Sequence, residues 1–197
     1  MKKNKKIVTK KSLFQNKEKV KITKNSPLVG IVIGSDSDLK IMQNTAKKLD
    51  ELGINYEITI SSAHRTLEKT LDFVRSSEKR GIELFIVGAG MAAHLAGIIA
   101  GQTILPVIGI PMSGGDLNGI DALYSTVQMP SGIPVATLTI GNVGATNAAI
   151  LATQILSLKY PELKVKLKNL KEDMKKQVFE KDIKLQKIGY KKYLEKI

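Results

Sequence analysis

The sequence INYEITISSAHRTLEKTLDFV, residues 54–74, places a histidine and an arginine between two regular elements. Apolar and polar residues alternate over 54–60, which predicts a β-strand, and the apolar residues of 67–74 recur at helical spacing. His64 and Arg65 therefore lie where a strand ends and a helix begins. In an open α/β sheet, ligands bind at this edge.

The same alternation of strand and helix continues along the middle of the chain. The apolar runs that predict further strands lie at 28–33, 84–87, 105–110 and 135–140. The segments with helical periodicity lie at 39–52, 67–80, 92–101, 119–127 and 143–158. Strands and helices that alternate at this spacing predict an α/β fold with a five-stranded parallel sheet and right-handed crossovers.

Composition divides the 197-residue chain into three parts. We expect residues 1–26 to form a disordered, Lys-rich leader, 27–158 to form one α/β domain, and 159–197 to form a Lys-rich helical extension. The leader has no apolar run of the length that a signal peptide needs. We expect the protein to act in the cytoplasm.

The net charge of +13 is concentrated in the two flanks. Residues 1–24 carry a net charge of +9 and residues 159–197 a net charge of +7, whereas residues 25–158 carry −3. This distribution favours solvated flanking sequence over a nucleic-acid-binding surface. Affinity of the flanks for nucleic acid or anionic lipid is the alternative.

The absence of cysteine excludes several classes of function. The chain has no cysteine, so it has no disulfide framework, thiolate nucleophile or Cys-ligated zinc.

The segment 84–115 has no Asp, Glu, Lys or Arg, which is a property of membrane spans. Its glycines and prolines, with His94 and Gln102, instead favour a succession of strand, loop, helix and strand. We therefore expect no membrane partner.

Two of the predicted helices, 92–101 and 143–158, carry no charge on any face. A helix without a charged face is usually covered on all sides. One sheet domain of this size cannot cover both helices alone. The sequence therefore predicts an extensive homo-oligomer.

The loop of residues 34–38, Gly-Ser-Asp-Ser-Asp, joins the first strand to the first helix. Backbone N–H groups at a helix start suit phosphate, and an acidic side chain can accept hydrogen bonds from ribose hydroxyls. Ser and Asp can equally cap the helix, and spacing alone leaves both interpretations open. The chain has no G-x-G-x-x-G or G-x-x-x-x-G-K-[ST] motif, so a dinucleotide or ATP site is not predicted.

The remaining candidates are Arg65 and the two histidines. Arg65 suits bidentate binding of phosphate, and His64 can move a proton near neutral pH, although both could be exposed loop residues. His94 lies in a second Gly-rich loop, either facing a ligand or buried and hydrogen-bonded. Two histidines without a nearby carboxylate do not make a metal site. The residues indicate a phosphosugar or mononucleotide site that uses histidine for proton transfer.

Four motifs together resemble the N5-carboxyaminoimidazole ribonucleotide mutase family. They are GSDSD at 34–38, SAHRT at 62–66, GAGMAAHL at 88–95 and VQMPSGIPV at 127–135. The resemblance covers roughly residues 28–158 in the same order. It implies a flavodoxin-like, three-layer α/β/α fold and assembly as an octamer.

The resemblance also implies a reaction. The family moves a carboxylate from the exocyclic nitrogen to ring carbon 4 of an aminoimidazole ribonucleotide, in de novo purine (IMP) biosynthesis. The path is decarboxylation, retention of CO2 and recarboxylation, without a metal, ATP or another cofactor. By resemblance His64 is the general acid/base. The positions that match the family's substrate-binding residues are Ser35, Asp38, Ser62, Ala63, Arg65, Gly90, His94 and Leu95.

The chain departs from the family pattern at three positions. Leu67 and Ala96 stand where proline is usual, which removes backbone stiffness. Met91 stands where glycine is common and adds bulk near the pocket. None of the three changes removes a polar group of the site.

Two other functions stay open. A sister class carboxylates aminoimidazole ribonucleotide directly with CO2, but its loop usually has Ala-Gly-Arg-Ser-Asn, so Ala-Ala-His-Leu at 92–95 favours the mutase. A non-catalytic protein that binds phosphosugars, or nucleic acid through the basic flanks, is the other alternative.

Overall fold

The computed structural model describes residues 26–196, so all but Ser26 of the predicted leader lies outside the described residues. Five parallel strands form one sheet in the order β2-β1-β3-β4-β5. The strands are β1 (Val29–Ile33), β2 (Tyr56–Ile60), β3 (Leu84–Ala89), β4 (Val107–Pro111) and β5 (Ala136–Thr137). This is the flavodoxin-like strand order, and it confirms the predicted fold class.

Helices cover both faces of the sheet. They are α1 (Leu39–Glu51), α2 (Leu67–Arg80), α3 (Leu95–Ala100), α4 (Ile120–Val127), α5 (Gly141–Leu156), α6 (Glu162–Ile188) and α7 (Tyr190–Leu194). The side chains of α1 and α5 share one buried cluster with the strands, and those of α2, α3 and α4 share the other. The sheet therefore lies between two helical layers.

Burial of the three central strands follows their sequence patterns. Every residue of β1, β3 and β4 is buried, as their continuous apolar runs predict. The edge strand β2 is the exception, because its apolar Ile58 and Ile60 are exposed whereas its polar Glu57 and Thr59 are partly buried. The ends of α1 and α2 also agree with the sequence, since each helix stops beside a glycine with positive φ, Gly53 or Gly81.

Small residues let α5 approach the rest of the domain closely. Ala145, Ala148 and Ala152 are fully buried, and the backbone oxygen of Ala145 accepts a 2.8 Å hydrogen bond from the buried Thr45 hydroxyl. A Cβ on Gly144 would overlap the carbonyl oxygen of Thr139. Because the side chains are so small, the start of α5 lies directly against the end of the sheet.

Two predicted elements are shorter than the sequence pattern suggested. The helix predicted at 92–101 spans only Leu95–Ala100, because residues 91–94 form turns in which the His94 amide donates to Ala92 O. The strand predicted at 135–140 pairs with β4 only at Ala136 and Thr137. After one more ladder hydrogen bond, from Leu138 to Gly109, the chain turns away to start α5.

The C-terminal extension is helical, as predicted. Its start is fixed to the domain by the buried Leu163 and by the Lys166 ammonium, which donates to Leu52 O at 2.6 Å. Residues 171–184 are exposed throughout, including several apolar side chains.

Within residues 26–196, no helix is long and apolar enough to cross a membrane.

Candidate active site

The loop that follows β1 is held by its own serines. Residues 36–38 form one 3₁₀ turn, which Ser35 caps by accepting from the Ser37 amide at 3.4 Å. The Ser37 hydroxyl also donates to the Ser35 hydroxyl at 2.9 Å. Ser35 therefore caps the turn, whereas the Asp38 side chain makes no cap hydrogen bond to α1.

The Asp38 carboxylate is left facing the site at an electrostatic cost. Partial burial raises its pKa above the ordinary value, and the nearby charge of Asp36 acts in the same direction. Hydrogen bonds from the Ser35 backbone and the Ser37 side chain oppose this shift. A partly buried carboxylate with free acceptor positions is suited to hydrogen-bond donors such as ribose hydroxyls.

The turn that follows β2 is locked by hydroxyl groups beneath it. The Thr66 hydroxyl accepts from the Ser62 amide at 2.8 Å, and the Thr66 amide donates to Ser62 O at 2.9 Å. The buried Ser61 hydroxyl lies 2.8 Å from that of Thr70 in α2. These contacts fix the turn and leave His64 and Arg65 projecting from it.

Arg65 extends toward the loop after β1. Its Nη2 lies 3.5 Å from Gly34 O and its Nε lies 3.5 Å from the Ser62 hydroxyl. Both contacts are at the long limit of hydrogen bonding, so the guanidinium keeps most of its donor capacity. A charged fork of this kind is suited to a phosphate bound between the two loops.

The two histidines of the chain meet across the site. His64 Nε2 lies 2.7 Å from His94 Nδ1, and the rings meet edge to face with centroids 4.9 Å apart. One of these nitrogens must donate and the other accept, so the contact fixes the proton positions of the two rings relative to each other. Both side chains are exposed to the pocket, and the alternative of a buried structural His94 was wrong.

All of these groups line one pocket of about 590 Å³ at the carboxyl edge of the sheet. The pocket contains every residue predicted for the site, namely Ser35, Asp38, Ser62, Ala63, His64, Arg65, Gly90, His94 and Leu95. The structure thus brings together residues from the loops after β1, β2 and β3. Among residues 26–196, no three His, Cys, Asp or Glu side chains are close enough to hold a metal ion.

Sequence reasoning missed the fourth wall of this pocket. Met112, Gly114 and Gly115, from the loop after β4, also line it. The available signal was position, because the carboxyl end of β4 lies at the same edge as those of β1 and β3. Met112, Gly114 and Gly115 were overlooked because an apolar side chain or a glycine carries no chemistry that marks a site in the sequence.

Comparison with known proteins identifies the family of the chain. The family model for AIR carboxylase matches residues 28–177. An N5-carboxyaminoimidazole ribonucleotide mutase of Pyrococcus horikoshii is 54% identical over 175 residues, which cover 89% of this chain and 98% of the relative. A mutase of Thermotoga maritima is 55% identical over 168 residues, 85% of this chain and 97% of the relative.

A phosphoribosylaminoimidazole carboxylase of Schizosaccharomyces pombe is 48% identical over 88% of this chain, but the match covers only 31% of that longer protein. Among solved structures, Treponema denticola PurE superposes with a TM-score of 0.74 at 34% identity, over 81% of this chain and 98% of the other. These matches confirm the resemblance to the mutases. The chain belongs to the AIR carboxylase family.

Proposed function

We propose that the protein interconverts N5-carboxyaminoimidazole ribonucleotide and 4-carboxy-5-aminoimidazole ribonucleotide in de novo purine biosynthesis, as an isomerase acting in the cytoplasm. One observation carries the proposal. His64, His94, Arg65 and Asp38 line a single pocket, in a chain about half identical to proteins named as mutases of this substrate. The pocket offers an anion-binding group, a ribose-binding group and proton-transfer groups.

The phosphate, the ribose and the base of the substrate each bind to a different part of the pocket. Arg65 holds the phosphate between the loops after β1 and β2, and Ser35 and Asp38 hold the ribose. The aminoimidazole then lies over His64, against Gly90 and the start of α3. Ser62, Ala63, His94 and Leu95 complete the wall around the base.

The reaction requires His64 to donate one proton and later to accept one. His64 donates a proton to the exocyclic nitrogen, the bond from nitrogen to the carboxyl carbon breaks, and the electron pair of that bond stays on nitrogen as CO2 is released. Ring carbon 4 then attacks the retained CO2. His64 removes the proton from carbon 4, which restores the aromatic ring and the protonated histidine.

The contact with His94 supports the position of His64 through these steps. A hydrogen bond of 2.7 Å limits rotation of the His64 ring and engages its Nε2. The other nitrogen of His64 is then available to the substrate.

Direct carboxylation of aminoimidazole ribonucleotide is the second candidate. It is favoured by the name of the Schizosaccharomyces pombe relative, a phosphoribosylaminoimidazole carboxylase. The same four loops would bind its substrate, but CO2 would enter from solution. We favour the mutase because the pocket presents Ala-Ala-His-Leu at 92–95, with His94 against His64.

The assembly is proposed to be an octamer in which neighbouring copies cover α5. The other uncharged helix, α3, has no exposed residue even in the single chain, so the expectation that one domain cannot cover it was wrong. In the single chain α5 leaves Asn142, Val143, Asn147 and Gln154 exposed, a face without any charge. Near its C-terminal end, Leu158 is 82% exposed. We also propose that residues 27–158 form the catalytic domain and 159–197 an extension outside it.

Light scattering at micromolar concentration tests the assembly. We expect an oligomer, because uncharged faces of this extent are rarely left in water by monomers, and a mass of about eight chains, because the family resemblance implies an octamer. A monomeric mass of 21.5 kDa would contradict the proposal.

The variant His64→Asn tests the catalytic assignment. Without a group that can lend a proton, we expect the interconversion rate to fall by about 10² to 10⁴-fold. Nucleotide binding, measured by calorimetry, should persist, because Arg65 and Asp38 are untouched. Turnover like that of the wild type would rule out the assigned role of His64.

The variant Asp38→Asn tests whether Asp38 binds the ribose. Loss of a charged acceptor should raise KM about tenfold or more. Asp36→Asn is the matched control, since Asp36 lies in the same turn but does not line the pocket, and its KM should stay near that of the wild type.

The Asp38→Asn variant should also change the way in which the stability of the fold depends on pH. Because folding raises the pKa of Asp38, stability is lost as pH rises from 3.8, the ordinary value, through the raised value. Asp38→Asn should therefore increase the Tm at pH 7 and have little effect where the carboxyl is protonated in both states. A lower Tm at pH 7 would show that the carboxylate stabilises the fold.

A further inference from the structure

Two buried hydroxyl groups join the end of β2 to the first turn of α2. Ser61 is 1% exposed and Thr70 is fully buried, and their hydroxyl oxygens lie 2.8 Å apart. The Ser61 amide also donates to Ile33 O of β1 at 2.8 Å, so the backbone of Ser61 is held by the sheet. The hydroxyl pair therefore connects the sheet to α2 across the turn that carries His64.

The two hydroxyls can bond to each other in either direction. If the Ser61 hydroxyl donates to Thr70, the Thr70 hydroxyl can donate to Thr66 O at 3.5 Å. If it accepts from Thr70, it can itself donate to Thr66 O at 3.4 Å. Both arrangements end on the backbone of Thr66, the residue that precedes α2. The turn is therefore held at its last residue whichever hydroxyl is the donor.

The first turn of α2 lacks the stiffness that a proline would give it. Leu67 is the first residue of the helix and stands where the family usually has proline. Lys69 ties the same turn to β2, because its ammonium donates to Ile60 O at 2.7 Å, but Lys69 is exposed and water competes for this contact. Water does not reach the buried hydroxyl pair, so its hydrogen bond is the stronger of the two ties.

We infer that Ser61 and Thr70 are positioning residues, whose buried hydroxyl pair holds the turn in place of a proline and so fixes where the His64 ring lies. This inference rests on the proposed mutase function. The His64 ring is attached by a short side chain and cannot follow a displaced turn, whereas the longer Arg65 side chain can adjust its torsions. Loss of the pair should therefore slow proton transfer more than it weakens binding of the phosphate.

The variant Thr70→Val tests the inference, because it keeps the shape of the side chain and removes its hydroxyl. We expect kcat for the interconversion to fall about tenfold and KM to change by less than about twofold. The rate is divided by the concentration of binding sites, which calorimetry measures with the 4-carboxamide analogue of the product, a nucleotide that cannot release CO2. Ser61→Ala removes the other hydroxyl and should have the same effect, and it serves as the test if Thr70→Val fails to fold.

Rescue by proline and a matched control separate positioning from a general loss of stability. Leu67→Pro in the Thr70→Val background should return kcat toward the wild-type value. Proline is favoured at the first position of a helix, and the Thr66 backbone, with a ψ of 48°, lies outside the helical region that a following proline disfavours. Thr153→Val is the control, because its buried hydroxyl donates at 2.7 Å to Ala149 O within α5, and its removal should leave kcat unchanged.

The outcomes separate this inference from the function on which it rests. If Thr70→Val and Ser61→Ala convert the substrate as fast per binding site as the wild type, the inference is wrong and the mutase function stands. A loss of kcat that Leu67→Pro does not restore also overturns the inference, because the hydroxyls would then act otherwise than by stiffening the turn. If the wild type itself shows no interconversion, the mutase function fails and the inference fails with it.

Discussion

The parallel alignment of β1 between β2 and β3 is the constraint on which the site depends. Ile33 at the end of β1 is level with Ile60 of β2 and Gly88 of β3, so the three strands end together. This register brings the loop after β2 against the loops after β1 and β3. His64 can reach His94, 30 residues away in the chain, only because their strands end at one level on the same sheet edge.

Much of this arrangement was predictable from periodicity and position. Continuous apolar runs indicated the buried strands, and a histidine–arginine pair between strand and helix indicated the edge where the site lies. The contact between His64 and His94 was not predictable, because it depends on register and on side-chain orientation. The wall formed by Met112 and Gly115 was missed because these residues carry no recognisable chemistry.

Errors in the element bounds also have physical causes. The third helix starts later than its apolar pattern suggests, since residues 91–94 are bent into turns that expose His94 to the pocket. The fifth strand is short because the chain leaves the sheet early, which allows Gly144 to lie against Thr139. Two features of the site oppose stability: the partly buried carboxylate of Asp38 and the left-handed backbone of Met91. Local pattern rules thus fail at the carboxyl edge of the sheet, where the candidate site lies.

The central claim is that the carboxylate moves within one molecule and one pocket. Its most direct test is the initial rate at which the wild-type protein converts N5-carboxyaminoimidazole ribonucleotide into 4-carboxy-5-aminoimidazole ribonucleotide, in buffer depleted of bicarbonate and in buffer saturated with it. The account predicts the same rate in both buffers, because the CO2 that is captured comes from the substrate. No conversion in either buffer, together with carboxylation of aminoimidazole ribonucleotide that requires bicarbonate, would contradict it.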